Sequence, residues 1–469
     1  MGEIVGSYIY PHPPIIIPEV GKGEEAAALK TVDAVKKASE DIKKDQPSTI
    51  IITTPHGPVF QDYIHISVHK RLSGDMGKFG ASNVSLEFEN NVELAARIST
   101  IASKEGIMAG GIDDGLARKY NISRKLDHGA LVPLYFVNKV YSGFKLVHIA
   151  IAGLPFEDLY RFGMCIAKAV EESEERVVFL ASGDLSHRLS EEGPYGYSEY
   201  GPQFDKAFID SIKNINIEKL IRTDEAFCEN AGECGLRSFL MMFGALDGYE
   251  LKSEVYSYEG PYGVGYSIAR FSKGGKDPER QLLKKLSESN RMEMDKIRKN
   301  EDSYVSLARN SLEAYVRNNQ TIDVPKGLPE EMLKNSAGTF VSIKKSGQLR
   351  GCIGTISPVR RNIAEEIINN AISSGTGDPR FEPVEEDELD KLVYSVDVLG
   401  EPKSINSIEE LDVVRYGVIV RKGNRSGLLL PNLEGVDTPE KQVSIALQKA
   451  GINPDEKYSM ERFEVIRHK

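Results

Sequence analysis

The chain has 469 residues, 40% hydrophobic and 28% charged, with a formal net charge of −11. That length holds two or three cores, and an acidic balance without any long Lys/Arg block excludes a phosphate-tracking surface, so no nucleic-acid partner is expected. Four cysteines with no C-x-x-C pair argue against a disulfide framework or zinc ribbon; with no leader pattern and no apolar run near the roughly 20 residues of a membrane helix, the expectation is a cytoplasmic protein with no membrane partner.

In chain order, Ser48 to Thr54 reads as a buried strand, Val92 to Lys104 as an amphipathic helix, Phe144 to Ile151 as a strand, Phe156 to Glu172 as a helix and Val177 to Ala181 as a strand. Strands alternating with helices predict a layered α/β sheet covered on both faces. From Ser272 the composition turns charged and poor in large apolar residues, which marks 273–299 as a linker, part helical. A second unit, 300–469, reads as α+β: a helix over Ser303 to Arg317, strands around Gly338 to Lys344 and Leu392 to Leu399, and a last apolar strand at Tyr416 to Arg421.

Seven of the eight histidines precede residue 190; His468 is one residue from the C-terminus, where disorder is expected. Three of the seven stand just past strand-like runs: His12 in Tyr10-Pro11-His12-Pro13-Pro14, His56 in Thr54-Pro55-His56-Gly57-Pro58, and His187, which closes Gly183-Asp184-Leu185-Ser186-His187. Ligands of α/β sheets bind beyond the carboxyl ends of strands, so these residues point to one metal or acid/base site. His128, in Asp127-His128-Gly129, follows a step that permits a tight turn and would point an imidazole into a cleft. A carboxylate is available in Glu229-Asn230-Ala231-Gly232-Glu233-Cys234-Gly235, which alternatively is a helix start with acidic first-turn residues. His65 and His69 lie in the period-two run Ile64 to His69 and, like His148, are read as strand residues. Gly263-Val264-Gly265 precedes a strand-like run and is no dinucleotide fingerprint.

Taken in order, His12 with its prolines, Pro55-His56-Gly57, Asp127-His128-Gly129, Gly183 to His187 and Gly232-Glu233-Cys234-Gly235 resemble the LigB-type class III extradiol dioxygenases and the related Memo proteins, over residues 1–272 as a domain. The resemblance implies a non-haem Fe(II) site of two histidines and a glutamate, here His12, His56 and Glu233, acting on a small aromatic substrate. Cys234 matches a cysteine position of Memo-type members, and a thiolate there would soften the site toward zinc or copper. A two-histidine, one-carboxylate face leaves positions open for a catecholate and oxygen. His187 would then serve as acid/base and His128 would orient substrate or oxygen, with Asp184 either fixing the His187 tautomer or capping a turn. The Gly193-Pro194-Tyr195-Gly196-Tyr197 stretch would form a loop over this site.

Leu349-Arg350-Gly351-Cys352-Ile353-Gly354-Thr355 and Gly377-Asp378-Pro379-Arg380-Phe381 resemble the AMMECR family. Cys352 reads as a packed turn residue, or as a nucleophile whose thiolate Arg350 would favour. A LigB/Memo-like domain fused to an AMMECR-like one is similar to an arrangement found beside a radical adenosylmethionine enzyme. Two functions follow: a ring-cleaving dioxygenase, or a metal-binding accessory protein of that partner enzyme.

Overall fold

The computed structural model describes residues 1–345, 347–433 and 435–469. The chain divides into two compact units, Met1–Ser287 and Glu288–Lys469. The segment read as a linker carries the end of a strand that reaches Lys276 and a helix, Leu282–Asn300, within which the division falls.

In the first unit the main strands are β1 (Glu3–Tyr10), β2 (Thr49–Thr54), β3 (Lys145–Ala150), β4 (Arg176–Ser182), β5 (Tyr249–Glu259) and β6 (Tyr266–Lys276). They form one six-stranded sheet in the order β3-β2-β4-β1-β6-β5. The first four are parallel, and β6 and β5 continue the sheet antiparallel. Alternate residues of each strand feed two separate cores. Ile51, Val147, Val177 and Phe179 enter the core with helices Val92–Lys104 and Phe156–Glu171. Ile50, Ile52, Leu146, Val178 and Leu180 enter the core with helices α1 (Leu29–Asp45) and α2 (His128–Val140). Because both faces are covered, the parallel strands are continuous apolar runs, which is why they were legible.

The crossovers bring the carboxyl ends of β2, β4 and β1, three neighbours, to one edge of the sheet. His12 lies two residues past β1, His56 two past β2, and Asp184 two past β4. This is the crevice where ligands bind in open α/β sheets.

The second unit holds two antiparallel sheets. Thr339–Lys345 lies between Gln348–Gly354 and Leu392–Leu399, with Val465–His468 at the far edge, and helices Ser303–Asn318 and Ile363–Thr376 bury Val341, Ile343, Tyr394 and Val396. The other sheet comprises Lys403–Ile405, Ser459–Phe463, Gly417–Lys422 and Arg425–Leu429. The strand expected to be last, at Tyr416 to Arg421, is therefore followed by three more. Their sequences, such as Ser459-Met460-Glu461-Arg462-Phe463, mix polar with few apolar residues on a half-exposed sheet and carry no clear period-two signal. His468 is ordered, contrary to expectation: it ends the last strand, pairs with Asp302 and stacks on Tyr304 with ring centroids 3.8 Å apart.

Candidate metal and acid/base centre

Each histidine arrives on a segment whose path is dictated locally. Pro13 and Pro14 lead the chain after His12 into a short turn, Pro14–Ile16. Asp127 caps α2, its carboxylate accepting the Ala130 amide, so His128 is the first residue of the helix rather than part of an open turn. At the end of β4, the Gly183 and Gly235 backbones are pressed together: a Cβ on Gly183 would lie 2.2 Å from the Gly235 Cα. Two segments quoted as separate motifs are thus one packed unit, available only to glycine.

The ligand nitrogens of His12, His56 and His128 lie within 4.8 Å of one another. His12 is buried, His128 half-buried and His56 open to solvent. The His56 and His128 rings stack at 4.2 Å and 27°, and His12 stands edge-on to both. The tautomer of His12 follows from its partner. Ser182 Oγ donates to the Gly129 carbonyl at 2.5 Å, so toward His12 Nδ1, at 2.9 Å, it can only accept. The Nδ1 of His12 therefore carries the proton and its Nε2 lone pair faces His56 Nε2, 3.0 Å away. At that spacing either His56 donates a proton to it or both lone pairs face one cation.

All three imidazoles are held neutral. Burial, then the charge of His56, lowers the His12 pKa well below its usual value. His128 falls to about 4, from burial and then from His12. His56 is lowered as well: its outer edge meets solvent, but the protein packed behind its ring, then His128, disfavours the cation. Neutral imidazoles are what a metal requires. The donor set fits a first-row ion, since three imidazoles suit iron, zinc or copper alike.

Beneath them, Asp127 binds Thr54 Oγ1 at 2.6 Å and His148 Nε2 at 3.0 Å. Burial would raise its pKa, but these bonds and the charge of His148 overcome burial and hold it well below the carboxylate range. His148 is completed by Ser67 Oγ at 2.9 Å and is the satisfied strand histidine expected. His65 is likewise in strand, at Ile64–His65, whereas His69, read with it as a strand residue, lies in a bend beyond that short strand.

The other expected site residues are placed differently. Glu233 does not join the histidine grouping; its carboxylate accepts the Leu236 amide at 2.7 Å and caps helix Leu236–Gly244. Burial raises its pKa to about 7 against the pull of that amide. His128, expected only to orient a ligand, takes the third place among the nitrogens. Cys234 does approach, its Sγ 3.7 Å from His12 Nε2, while accepting the Asp184 amide at 3.3 Å. Burial, then the Asp184 charge, pushes its thiol pKa well up, so without an ion it is a thiol.

Asp184 does not fix the His187 tautomer. Its Oδ1 accepts the His12 amide at 2.9 Å, and its Oδ2 lies 3.7 Å from His12 Nε2. Burial raises it to about 6 despite the nearby His187. The tautomer of His187 is set instead by the Gly232 carbonyl, which accepts from Nδ1 at 2.6 Å and leaves Nε2 free as a base. Gly232 reaches that position with φ of +67, as the left-handed cap of helix Glu225–Ala231. Tyr195 of the expected loop stands edge-on to His187 at 5.2 Å. Sequence reasoning did not find Ser182 as an orienting residue, nor Phe79, whose ring is 5.3 Å from His128; its only signal was the turn-forming Asp75-Met76-Gly77-Lys78-Phe79-Gly80.

In the second unit Cys352 lies in strand, not in a turn, and accepts from Ser342 Oγ at 3.2 Å. Arg350 is engaged with Glu388, so the guanidinium at the Cys352 backbone is that of Arg380, which also pairs with Asp378 at 2.6 Å. The four cysteines are unpaired.

A parallel sheet with histidines converging beyond its strand ends, followed by the antiparallel unit, defines a LigB-type domain joined to an AMMECR domain. Residues 6–269 match the family described as the catalytic LigB subunit of aromatic ring-opening dioxygenase, and residues 305–468 match AMMECR1. The chain belongs to the LigB family and carries an AMMECR1 domain after it. A protein of Clostridium acetobutylicum is 49% identical over 465 residues, 99% of each chain. A Thermotoga maritima protein is 50% identical over 171 residues, 36% of this chain and 98% of its own. Among solved structures, a Pyrococcus horikoshii protein has 35% identity and a TM-score of 0.33 over 35% of this chain and 88% of its own. One from Escherichia coli K12 has 12% identity and a TM-score of 0.39 over 57% and 99%. Among the described residues no helix is long and apolar enough to cross a membrane.

Proposed function

We propose that the chain is a non-haem Fe(II)-dependent extradiol ring-cleavage dioxygenase acting on a catechol-like or phenolic substrate. The observation that carries this reading is the convergence of His12, His56 and His128 with His187 beyond the same strand ends. The three histidines would hold the ion, with Asp184 or Cys234 beside His12 as a further donor. A ferrous ion there supplies Lewis acidity and electrons for oxygen chemistry. The protein's share is positional and protonic. Ser182 keeps the His12 lone pair inward, and the free Nε2 of His187 takes a substrate hydroxyl proton and returns it on ring opening. The buried Asp184, its pKa raised by burial to about 6, stands beside them as a second carboxylate able to exchange a proton below neutrality. The unpaired thiols fit the reducing cytoplasm in which we place it.

The test is oxygen uptake by anaerobically purified, Fe(II)-loaded protein given a catechol panel, against His12→Ala. Ring-opened product in the wild type alone supports the reading; metal and catechol binding without uptake refutes it. One observation favours a second reading: the Cys234 thiol lies nearer the histidines than the Glu233 carboxylate, as a softer ion would require. In that reading the chain is a metal-binding accessory protein of a radical adenosylmethionine enzyme.

A further inference from the structure

The six-stranded sheet treats its two edges differently. At the β3 edge the chain covers itself: Ile66 pairs with Ile149 and Asn90 with Leu146 in isolated bridges, and the amides of Ser67 and Asn91 donate to the carbonyls of His148 and Leu146 at 3.0 and 2.9 Å. At the other edge β5 runs for 11 residues, none of them buried. Among the described residues its only strand partner is β6, and no backbone hydrogen bond reaches its outer side. A long edge strand left open in this way is a template for another strand.

Two bulges limit which part of β5 can pair outward. Its register on β6 shifts between Val255 and Ser257 and again between Leu251 and Tyr249, which leaves Leu251 to Val255 as a regular ladder opposite Lys273 to Ala269. Bulges bend a strand and interrupt its ladder, so outward pairing is confined to that stretch. Leu251 and Val255 pack against the core that holds Phe271. Lys252 and Glu254 are exposed on the opposite face, beside α1, where Lys37 binds one Glu254 oxygen at 2.7 Å. Lys252 has no ion-pair partner among the described residues.

The stretch Leu251-Lys252-Ser253-Glu254-Val255 is complementary to its own reverse. Two copies of one strand pair antiparallel about a two-fold axis normal to the sheet; each face keeps to its own side, so opposite residues share a face and the axis passes a single residue. An axis at Lys252 or Glu254 sets like charges directly opposite each other, which is destabilising. An axis at Leu251 runs Glu254 and Val255 past the end of the second strand, and one at Val255 falls on the bulge. At Ser253, the midpoint of the regular ladder, Lys252 of each copy meets Glu254 of the other and Leu251 meets Val255. We propose that β5 is the interface at which two copies of this chain join, antiparallel about Ser253, so that one sheet continues through both.

Sedimentation velocity of the full chain over a concentration series is expected to show a concentration-dependent species of twice the 51.9 kDa chain mass. Lys252→Glu and Glu254→Lys each place two like-charge pairs across the axis and are expected to raise the dimer dissociation constant by about tenfold. The double exchange restores opposite charges in reversed order and is expected to recover most of that loss. Both positions are exposed, so the circular dichroism spectrum stays that of the wild type; should Glu254→Lys misfold for want of its Lys37 pair, Lys252→Glu still decides the matter. Hydrogen exchange gives a second reading: the amides of Leu251 to Val255 should exchange more slowly at high than at low protein concentration. The proposal is overturned if the wild type sediments as a monomer at every concentration up to about 100 μM, if neither single exchange weakens the dimer, or if the double exchange is no tighter than the single ones. A dimer indifferent to both charges is held by another surface.

Discussion

Replacing Ser182 with alanine removes one buried oxygen that serves two partners. The side chain is fully buried, donates to the Gly129 carbonyl and accepts from His12 Nδ1. Alanine leaves both partners unsatisfied where water does not reach, at about 1 to 3 kcal/mol each, so the destabilisation is about 2 to 6 kcal/mol. Set against a usual domain stability of about 5 to 15 kcal/mol, that leaves a folded but weakened protein. The second effect is specific to the centre. Without Ser182 nothing fixes the proton on Nδ1, and the Nε2–H tautomer of His12 offers no lone pair to an ion. Loss of such an orienting partner lowers metal affinity by about 10- to 100-fold. Chemical denaturation followed by circular dichroism reads the first effect and calorimetric titration with Fe(II) or Zn(II) reads the second. A variant that loses stability yet binds metal as tightly as the wild type would refute the tautomer argument while leaving the packing argument intact.

Glu233→Gln keeps an oxygen to accept the Leu236 amide, so metal affinity by the same titration is expected to be unchanged; a fall of about tenfold or more would restore Glu233 as a ligand. On the proposed reading His187→Gln is expected to lower kcat for catechol cleavage by about 10² to 10⁴ while metal affinity stays at the wild-type value, because the Gly232 carbonyl engages its Nδ1 and its Nε2 would take a proton rather than hold the ion. Asp205→Asn tests the support of the His187 loop. Asp205 is buried, accepts the Ser186 amide at 2.8 Å and the Tyr258 hydroxyl at 2.7 Å, and burial, against those bonds, raises its pKa from 3.8 to about 7. The folded protein then keeps a proton that the unfolded chain has released, so the stability Asp205 contributes is complete below pH 4 and is lost as pH rises toward 7, by up to about 4 kcal/mol. Thermal midpoints at pH 4.5 and 7 should show the asparagine variant gaining on the wild type as pH rises, and a constant difference would contradict this.

The parallel sheet was legible because burial on both faces demands uninterrupted apolar strands, as in Thr49–Thr54 and Arg176–Ser182. The late strands of the second unit were not, since a half-exposed antiparallel strand such as Ser459–Phe463 needs apolar residues on one face only. His468 shows the same limit at a single residue. Distance from the chain end is a poor guide once the terminal strand pairs with Leu392–Leu399 and an aromatic ring, Tyr304, lies parallel to the imidazole.

The site divides along a similar line. Histidines past strand ends could be found because sheet topology alone brings His12 and Asp184, 172 residues apart, into hydrogen bonding. Which carboxylate faces them could not, because a glutamate ahead of a helix has two uses and the backbone path decides between them. Gly232 turns left-handed, sends its carbonyl to His187, and delivers Glu233 to the free amide of Leu236. His128 enters for the converse reason: Asp127, bound to Thr54 and His148, starts the helix at that residue and leaves its ring stacked on His56. A helix start therefore took one expected side chain out of the grouping and brought another into it. In both cases the deciding interaction is a cap, a local hydrogen bond whose existence the motif permits but whose direction only the neighbouring strands determine.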